Sequence, residues 1–516
     1  MRSFTGYARS APSRIAVVDR DGRRIGYGEL SERANRLARA VAASVDREGA
    51  TVAALLPNSG LVLLAERAVT QLPLYFTPIN WHLTAAEAGY ILADSGARLL
   101  LTAVEFAGTA LEAADRAGMP RERVIVMDGD GRDGCTALAD FIADQPADPP
   151  EGRAAGQRML YTSGTTGRPK GVRRPLTGLS PERAAAAVLK RAELYGADHE
   201  EGRYLSVAPL YHAAPLAYAV QALEAGHTVV ILPRWEPVAA LRAIEEHTIT
   251  WTYMVPMMFA DLLGLPPEVR AGHETGSLRS VVHTAAPCPV HVKKAVIDWL
   301  GPILAEIYGG TEGGVTFIDS AQWLAHPGSV GRARAGVRIR ILDESGREVG
   351  PGEVGRVHFS GTGTFEYWND PAKTAASRVG GMTTLGDVGR LDQDGYLYLS
   401  DRAADLIISG GVNIYPAEIE SALLEHPGVR DAGVVGVPDD RWGERVVAVV
   451  VPAAGTAPSD ALAASIRDFA RERIAGFKVP KDIEFRAEVP RSDVGKLLRR
   501  ELRASLRAAT GTGREH

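Results

Sequence analysis

The 516-residue chain has few cysteines and no long apolar run. Its two cysteines, Cys135 and Cys288, cannot build a disulfide framework, and this usage fits a reducing compartment. No stretch approaches the roughly 18 apolar residues of a membrane helix, and residues 1–16 lack the apolar core of a signal peptide. The sequence therefore predicts a soluble, cytoplasmic protein without an integral membrane segment.

A surplus of positive charge is also absent, because the formal net charge is −5. Nucleic-acid binding is disfavoured, since contacts to phosphates need an excess of lysine and arginine. With 45% hydrophobic residues, the chain is not of the disordered class. Its length corresponds to roughly three domain-sized units.

Lysine is rare as well, with 8 lysines against 50 arginines. A retained lysine can mark a place where a compact ammonium group is needed, although retention by chance is the alternative. The lysines are Lys170, Lys190, Lys293, Lys294, Lys373, Lys478, Lys481 and Lys496.

Apolar runs of strand length alternate with helical patterns over the first 400 residues. The predicted strands lie at residues 51–56, 98–102, 124–127, 228–232 and 250–255. Leu30, Ala34, Leu37 and Val41 repeat at helical spacing, and a further helix is predicted at residues 238–246. Continuous apolar strands between helices predict mostly parallel sheets buried on both faces.

The pattern changes near Arg402. Pro416 opens a predicted helix, and strands follow at residues 432–437 and 445–451. Ser459 is the predicted N-cap of a last amphipathic helix that runs through Leu462, Ile466, Phe469 and Ile474 to Gly476. We therefore expect an α/β fold, with a large body at residues 1–402 and a small, mobile α+β domain at residues 403–516.

Residues 162–171 (TSGTTGRPKG) are the most distinctive segment. Glycines let backbone N–H groups approach an anion, hydroxyl groups add donors, and Arg168 and Lys170 balance charge. The segment suits a polyphosphate but is not a Walker A motif, because Pro169 stands where Gly-Lys would begin. A solvated turn is the alternative.

This segment resembles the phosphate loop of the adenylate-forming superfamily, and within it that of the AMP-dependent acyl-CoA synthetases. Further segments resemble that family's motifs in the family's order, and the ordered set is specific although each is weak alone. They lie at residues 208–212, 308–312, 386–387, 401–402, 408–416 and 490–496.

The resemblance implies an ATP- and AMP-binding site. In it Tyr308 would offer its aromatic face to the adenine, and Asp387 would accept hydrogen bonds from the ribose hydroxyls. The implied nucleotide-binding residues are Thr162, Ser163, Gly164, Thr165, Thr166, Gly167, Lys170, Ala286, Tyr308, Asp387 and Arg402.

The implied catalytic residues are Lys496, Thr311, Glu312 and His212. By resemblance, Lys496 bridges the substrate carboxylate and the α-phosphate. A basic, solvated tail is the alternative interpretation of that lysine. Glu312 and Thr165 are the expected Mg²⁺ ligands, since Mg²⁺ prefers hard oxygen donors beside phosphates.

The acyl pocket implied by the resemblance contains His212 as a gate, together with Ala213, Gly309, Gly310 and Val315. The neighbouring apolar residues Met254, Val255, Met257 and Met258 are adaptable in shape. These small and apolar residues favour a hydrophobic carboxylic acid over acetate.

Coenzyme A would bind Gly410, Gly411, Phe477, Lys478 and Lys481 by the same resemblance, with the aromatic ring stacking on its adenine. The alternative is that the loop around Phe477 is an ordinary exposed loop that does not bind coenzyme A. The family's hinge falls on Ala404, where an aspartate or lysine is frequent. A small residue can still absorb a change in φ and ψ.

Two other interpretations of the same residues compete with this one. His283, Cys288 and His291 could hold zinc, and Cys288 with His283 could form a nucleophilic pair, but Pro287 and Pro289 flank the cysteine and no third orienting group is apparent.

The sequence thus predicts an AMP-forming acid–CoA ligase, an enzyme that forms carbon–sulfur bonds with ATP, Mg²⁺ and coenzyme A. The alternatives are a ligase that loads a carrier protein and a non-catalytic nucleotide-binding regulator. A homodimer is a candidate assembly.

Overall fold

The structure is a computed structural model of the whole chain. It describes residues 3–45, 48–131, 133–162, 169–197, 199, 201–313, 316–402, 405–409, 412–439, 443–492 and 495–511.

The strands and the α-helices of the described chain are each numbered in chain order. The strands are β1 (Ile15–Val18), β2 (Arg24–Gly26), β3 (Thr51–Leu55), β4 (Tyr75–Pro78), β5 (Ala97–Thr102), β6 (Val124–Val126), β7 (Thr136–Ala137), β8 (Gln157–Arg158), β9 (Leu160–Thr162), β10 (Lys170–Arg173), β11 (Arg203–Ser206), β12 (Thr228–Ile231), β13 (Trp251–Met254), β14 (Ser280–His283), β15 (Leu304–Glu306), β16 (Thr316–Asp319), β17 (Arg332–Ala333), β18 (Arg338–Leu342), β19 (Gly355–Ser360), β20 (Glu366–Tyr367), β21 (Arg378–Val379), β22 (Met382–Leu391), β23 (Leu397–Arg402), β24 (Ile407–Ser409), β25 (Val412–Ile414), β26 (Val429–Asp439), β27 (Gly443–Pro452) and β28 (Asp482–Phe485). The α-helices are α1 (Phe4–Ser10), α2 (Tyr27–Ser44), α3 (Gly60–Val69), α4 (Ala85–Ser95), α5 (Ala107–Ala117), α6 (Leu138–Phe141), α7 (Pro181–Ala192), α8 (Ala213–Glu224), α9 (Pro237–Glu246), α10 (Pro256–Leu263), α11 (Pro267–Ala271), α12 (Val290–Leu300), α13 (Ser320–Ala325), α14 (Pro371–Ala376), α15 (Pro416–Leu424), α16 (Asp460–Arg471) and α17 (Arg499–Gly511).

Two large sheets carry the body of the protein. One has the order β7-β6-β5-β3-β4-β8 and is parallel throughout its described strands. The other has the order β17-β16-β15-β14-β13-β11-β12-β1-β2. Its strands β1 and β11–β15 are parallel, and antiparallel strands complete its two edges. The predicted α/β class is confirmed.

The predicted strands in this body are β3, β5, β6, β12 and β13, and the predicted helices are α2 and α9. Every residue of β3 is buried, as expected for a strand covered on both faces. Leu30, Leu37 and Val41 bury one face of α2. Helix α4 shows how local chemistry fixes the ends: Thr84 and Glu87 form a capping box, and Gly96 ends the helix at φ 61°.

Residues 338–402 depart from the predicted pattern. Apart from β20, which pairs with β10, their strands form an antiparallel sheet, β18-β19-β22-β21 with β23 beside β22. Alternating parallel strands and helices were expected there. The expectation failed because only Ile341 and Leu342 of β18 are buried, so the strand does not give a continuous apolar run. This sheet supplies one wall of the site described below.

The C-terminal part combines α15–α17 with the sheet β25-β24-β27-β26, to which β28 adds in parallel. Strands β26 and β27 include the two predicted strands, and Ser459 caps α16 by accepting from Leu462 N–H. Helix α16 ends at Arg471, so the prediction that Ile474 continues it was wrong; Ile474 packs on the domain core after the helix ends.

Separate clusters of buried side chains lie under the body, the antiparallel sheet and the C-terminal part. The boundary at residue 402 and the mobility of the C-terminal part remain predictions. None of the described helices has the length and apolar composition required to cross a bilayer.

Candidate active site

The ends of the phosphate loop are held by an antiparallel pair of strands. Thr162 of β9 lies opposite Lys170 of β10, so the two flanking residues meet at the base of the loop. The hydroxyl of Tyr90 donates to the carbonyl of Pro169 at 3.1 Å. Lys170 Nζ lies 3.4 Å from Oδ2 of Asp370, which provides a counter-charge for this predicted phosphate ligand. Ser163, Gly164, Thr165, Thr166 and Gly167 lie outside the described residues.

A second group of predicted ligands meets across the antiparallel sheet. The hydroxyl of Tyr308, just after β15, donates to Oδ2 of the buried Asp387 at 2.5 Å. On the backbone, Asp387 of β22 pairs with Arg402 of β23. Gly386 precedes Asp387 at φ 82°, a conformation that favours glycine. The structure thus joins the side chains of Tyr308 and Asp387 and places the backbone of Arg402 opposite Asp387.

Glu312 is held from two sides. Its Oε1 accepts a hydrogen bond from the hydroxyl of Tyr367 at 2.8 Å, and its Oε2 accepts from Thr311 Oγ1 at 2.9 Å. Arg174 donates to the carbonyl of Thr311 at 3.1 Å. Burial lowers the pKa of Arg174, although the nearby Glu312 opposes that shift. Glu312 is therefore held in place by two hydroxyl donors, with Arg174 close by.

Gly310 connects this corner to the nucleoside site. A Cβ at Gly310 would lie 2.8 Å from Oε2 of Glu312 and 3.2 Å from the side chain of Leu385, two residues before Asp387. Gly310 and Gly313 also exchange backbone hydrogen bonds at 2.8 and 3.2 Å. A larger residue at 310 would push the Glu312 carboxylate aside.

The donor chemistry of this corner fits magnesium. Glu312 offers a hard carboxylate oxygen, and Mg²⁺ usually takes one or two carboxylates together with substrate phosphates. Thr165, the other predicted ligand, lies outside the described residues. Zinc is not supported, because His283, Cys288 and His291 do not form a metal-ligand group in the described part of the chain.

His212 stands at the first turn of α8, where it is the N-cap residue with extended backbone angles. Its ring packs on Tyr211 with centroids 4.5 Å apart, and Ala213 follows as the first helical residue. Burial lowers the pKa of His212 to about 4. The ring is therefore neutral at pH 7 and a poor proton acceptor, which fits a gate rather than a general base.

The loop that carries Lys496 touches the predicted acid pocket. Gly495 has φ 72°, and a Cβ there would lie 2.9 Å from Cβ of Met257 in α10. Met257 adjoins Met254, Val255 and Met258, which are buried. Arg491 fixes the loop by donating to the carbonyl of Gly495 at 2.9 Å and to both carboxylate oxygens of Asp431. The structure thus brings Gly495, the residue before Lys496, against α10 of the body.

Three of the residues predicted to bind coenzyme A, Phe477, Lys478 and Lys481, lie in the described part of the chain. The Phe477 side chain is 55% exposed, which leaves its ring available for stacking. Lys478 Nζ lies 2.7 Å from both carboxylate oxygens of Glu418, so a phosphate would compete with that ion pair. Lys481 is exposed, and its N–H donates to the carbonyl of Val446. Gly410 and Gly411, like Val315 and Ala404, lie outside the described residues.

Comparison with known families agrees with this geometry. Residues 4–368 match the model of the AMP-binding enzyme family, and residues 418–496 match that of the AMP-binding enzyme C-terminal domain. The chain belongs to the AMP-binding enzyme family. It is thus an adenylate-forming enzyme of the ligase class, as its motifs predicted.

Individual relatives extend along nearly the whole chain. It is 38% identical over 503 residues to a feruloyl-CoA synthase of Amycolatopsis sp, covering 96% of each protein. It is 36% identical to a fatty acid–[acyl-carrier-protein] ligase, ScoC, of Streptomyces coeruleorubidus, covering 96% and 94%. ATP-bound MatB from Rhodopseudomonas palustris is 29% identical with a TM-score of 0.82, covering 98% and 99%. Apo MatB is 30% identical with a TM-score of 0.72 over the same coverage.

Three residues that contact predicted members of this candidate site were not found by sequence reasoning. Tyr367 orients Glu312, Arg174 holds the Thr311 backbone, and Asp370 pairs with Lys170. The available signal was the cluster of polar and aromatic residues at 367–370 (YWND), just before the proline that opens α14. Ala286, which was predicted, is half-buried between β14 and α12.

Proposed function

We propose that the protein is an AMP-forming acid–CoA ligase, which forms a carbon–sulfur bond by activating a hydrophobic carboxylic acid with ATP. In the first step a carboxylate oxygen attacks the α-phosphorus of ATP. The new oxygen–phosphorus bond gives an acyl-adenylate, and pyrophosphate leaves. In the second step the thiol sulfur of coenzyme A attacks the acyl carbon, AMP leaves, and the thiol proton passes to solvent.

The observation that carries this proposal is the packing of Gly495 on Met257. It supports a position for Lys496 at the meeting point of the acid pocket and the nucleotide site. An ammonium group there stabilises the negative charge that develops as the carboxylate attacks phosphorus. The better overlay on ATP-bound MatB than on apo MatB also supports an arrangement suited to adenylation.

The remaining residues divide the work of this first step. Tyr308 and Asp387 bind the adenosine, Lys170 balances phosphate charge, and Glu312 would hold Mg²⁺, which supplies charge neutralisation at the leaving pyrophosphate. Holding both reactants in one orientation lowers the entropic part of the barrier. Rotation of the C-terminal domain about Ala404 would then exchange Lys496 for the edge at Phe477.

A hydrophobic acid is supported by the character of the residues predicted for the acid pocket. The side chain of His212 is neutral at pH 7. The residues Met254, Val255 and Met258, which the sequence assigns to the same pocket, are buried and apolar. Such a site offers an alkyl chain or an aromatic ring more contact than it offers acetate. The named acid of the feruloyl-CoA synthase relative belongs to that chemical class.

A carrier protein as acceptor is the second candidate. The ion pair of Lys478 with Glu418 occupies one predicted coenzyme A ligand, and the ScoC relative is named for an acyl-carrier-protein substrate. In that case adenylation proceeds unchanged, and a carrier-bound thiol replaces coenzyme A in the second step.

The two candidates are separated by one assay. The protein is incubated with ATP, Mg²⁺ and a panel containing a hydroxycinnamic acid, an indole acid, a long-chain fatty acid and acetate, with and without coenzyme A. We expect AMP and an acyl-CoA from at least one hydrophobic acid, at a rate about tenfold or more above that with acetate. Pyrophosphate release and an acyl-adenylate without thioester would favour the carrier protein, and absence of acid-dependent pyrophosphate release with every acid would contradict both ligase proposals.

A further inference from the structure

A buried cluster of ionisable groups lies under the predicted adenine site without any role in the two steps above. Strand β14 ends at His283 and strand β15 ends at Glu306, and these two residues are paired in the parallel register. The segment that follows β14 contains Ala286, and Tyr308 follows β15 two residues on. The cluster therefore sits where both predicted adenine-contacting segments leave the sheet.

Lys293 of α12 completes the cluster. Its Nζ lies 2.5 Å from Oε2 of Glu306, and only 1% of Lys293 and 6% of Glu306 is exposed. The ammonium also lies 4.8 Å from the centroid of the Trp323 ring. Burying two charges is costly even when they pair, and an apolar pair of similar size often stabilises a fold as much as the ion pair does. Stability alone therefore does not account for this pair.

The connection between β14 and α12 is where the pair acts. It comprises residues 284–289, and Ala285 within it has φ 79°, a left-handed conformation that strains a residue with a Cβ. Such a conformation persists only when its surroundings hold it. The connection begins after His283, the last residue of β14, and leads into the first turn of α12, which carries Lys293.

The other polar groups of the cluster are uncharged. Burial lowers the pKa of His283 well below its usual range, and burial raises the pKa of the Cys288 thiol. Nε2 of His283 lies 3.7 Å from Oε2 of Glu306, beyond hydrogen-bond distance. Burial raises the pKa of Glu306 too, and the ammonium of Lys293 opposes that shift. The ion pair of the cluster is thus the 2.5 Å contact between Lys293 and Glu306.

We propose that Lys293 and Glu306 are positioning residues for the nucleotide, which clamp the strained 284–289 segment to the end of β15 and so hold Ala286 and Tyr308 on opposite sides of the adenine. The proposal rests on the proposed function, because it takes the adenine to bind between those two segments. The pair touches neither the substrate acid nor the reacting phosphorus, so its effect is confined to nucleotide affinity.

The decisive variant replaces both charges with apolar groups, Lys293→Met with Glu306→Leu, so that neither charge is left buried alone. We expect it to fold with a melting temperature within a few degrees of the wild type. ATP, measured by direct titration without acid, should bind about tenfold more weakly, while the KM for the acid stays unchanged. A matched control is Lys294→Met, since Lys294 pairs with Asp298 on the exposed face of the same helix.

Adding Ala285→Gly to the double variant tests the mechanism. Glycine adopts the left-handed conformation without the strain of a Cβ. The 284–289 segment then keeps its conformation with less support from the ion pair, and we expect the triple variant to bind ATP at least threefold more tightly than the double variant. Glu306→Asp keeps both charges but shortens the carboxylate arm, and it should weaken ATP binding about threefold. The Glu306→Asp variant keeps the proposal testable if the double variant does not fold.

Each outcome has a distinct meaning. A folded double variant that binds ATP like the wild type would overturn the clamp, and so would unchanged ATP affinity in a folded Glu306→Asp protein. No recovery on adding Ala285→Gly would overturn its mechanism. If the wild type itself binds no ATP, the proposed function fails instead.

Discussion

The hydroxyl of Tyr308 donates a 2.5 Å hydrogen bond to the carboxylate of Asp387, 79 residues away in the chain. The bond joins the segment after β15 to the antiparallel sheet, so the aromatic face and the carboxylate that a nucleoside needs are oriented together. Asp387 is 7% exposed. A buried carboxylate with a fixed donor is pre-organised to accept further hydrogen bonds from a ribose.

Tyr308→Phe and Asp387→Asn should separate these two roles. Phenylalanine keeps the stacking face but removes the hydroxyl, and we expect the KM for ATP to rise about fivefold, as for the loss of roughly 1 kcal/mol. Asparagine removes the charge, and we expect a rise of tenfold or more. Both are measured by steady-state kinetics at saturating acid. Equal effects of the two substitutions would contradict the division of roles.

Tyr367→Phe should weaken the response to magnesium. The variant loses the 2.8 Å hydrogen bond to Glu312 but keeps the ring that contacts Lys373. With its carboxylate less constrained, we expect the Mg²⁺ concentration for half-maximal adenylation to rise roughly five- to tenfold. Tyr398→Phe is the control, because its hydroxyl bonds to Asp392 instead. An unchanged Mg²⁺ titration would remove Tyr367 from this role.

Much of the body was predictable because its signals are local. An apolar run such as residues 51–56 is buried in β3 on both faces, and the spacing of Leu30, Leu37 and Val41 marks the buried face of α2. The antiparallel sheet was missed because β18 and β22 are only partly buried, so neither gives a continuous apolar run. Its pairing depends on tertiary contacts rather than on local pattern.

The same distinction holds within the site. Tyr308, Glu312 and Asp387 could be predicted because each stands in a motif of recognisable order. Tyr367 could not, because its role depends on a hydrogen bond across 55 residues to Glu312. The Lys293–Glu306 pair was equally hidden: Lys293 is one lysine among eight, and only the parallel register of β14 and β15 brings its partner within reach.

Lys496→Ala should lose adenylation and retain the second half-reaction. The ammonium acts while the carboxylate attacks phosphorus, so we expect acid-dependent ATP–pyrophosphate exchange to fall at least a hundredfold. Thioester formation from a preformed acyl-adenylate should fall less than threefold. Lys294→Ala, an exposed lysine paired with Asp298, is the control. Equal loss in both half-reactions would remove this assignment of Lys496.

Phe477→Ala should affect only the second half-reaction. Its side chain is 55% exposed, and stacking on an adenine is worth about 1–3 kcal/mol. We expect the KM for coenzyme A to rise about tenfold with no change in pyrophosphate exchange. Leu324→Ala, also an exposed apolar residue, should change neither quantity. If coenzyme A kinetics are unaltered in the Phe477 variant, the acceptor binds elsewhere.

His212→Gln should make the protein less sensitive to acid. Burial lowers the pKa of His212 from 6.5 to about 4, so between these values the unfolded chain binds more protons than the folded one. Stability therefore falls as the pH drops from about 6.5 to 4, and this residue accounts for about 2 kcal/mol of that loss at pH 5. Glutamine does not titrate, so the free energy of unfolding should fall less between pH 7 and pH 5 in the variant.

Other buried groups, such as His283, titrate equally in both proteins and cancel in the difference. Denaturant unfolding at pH 7 and pH 5 measures this change in the free energy of unfolding. The control is His291→Gln, because His291 is exposed. The same loss in wild type and His212→Gln would mean that His212 is not buried in its neutral form.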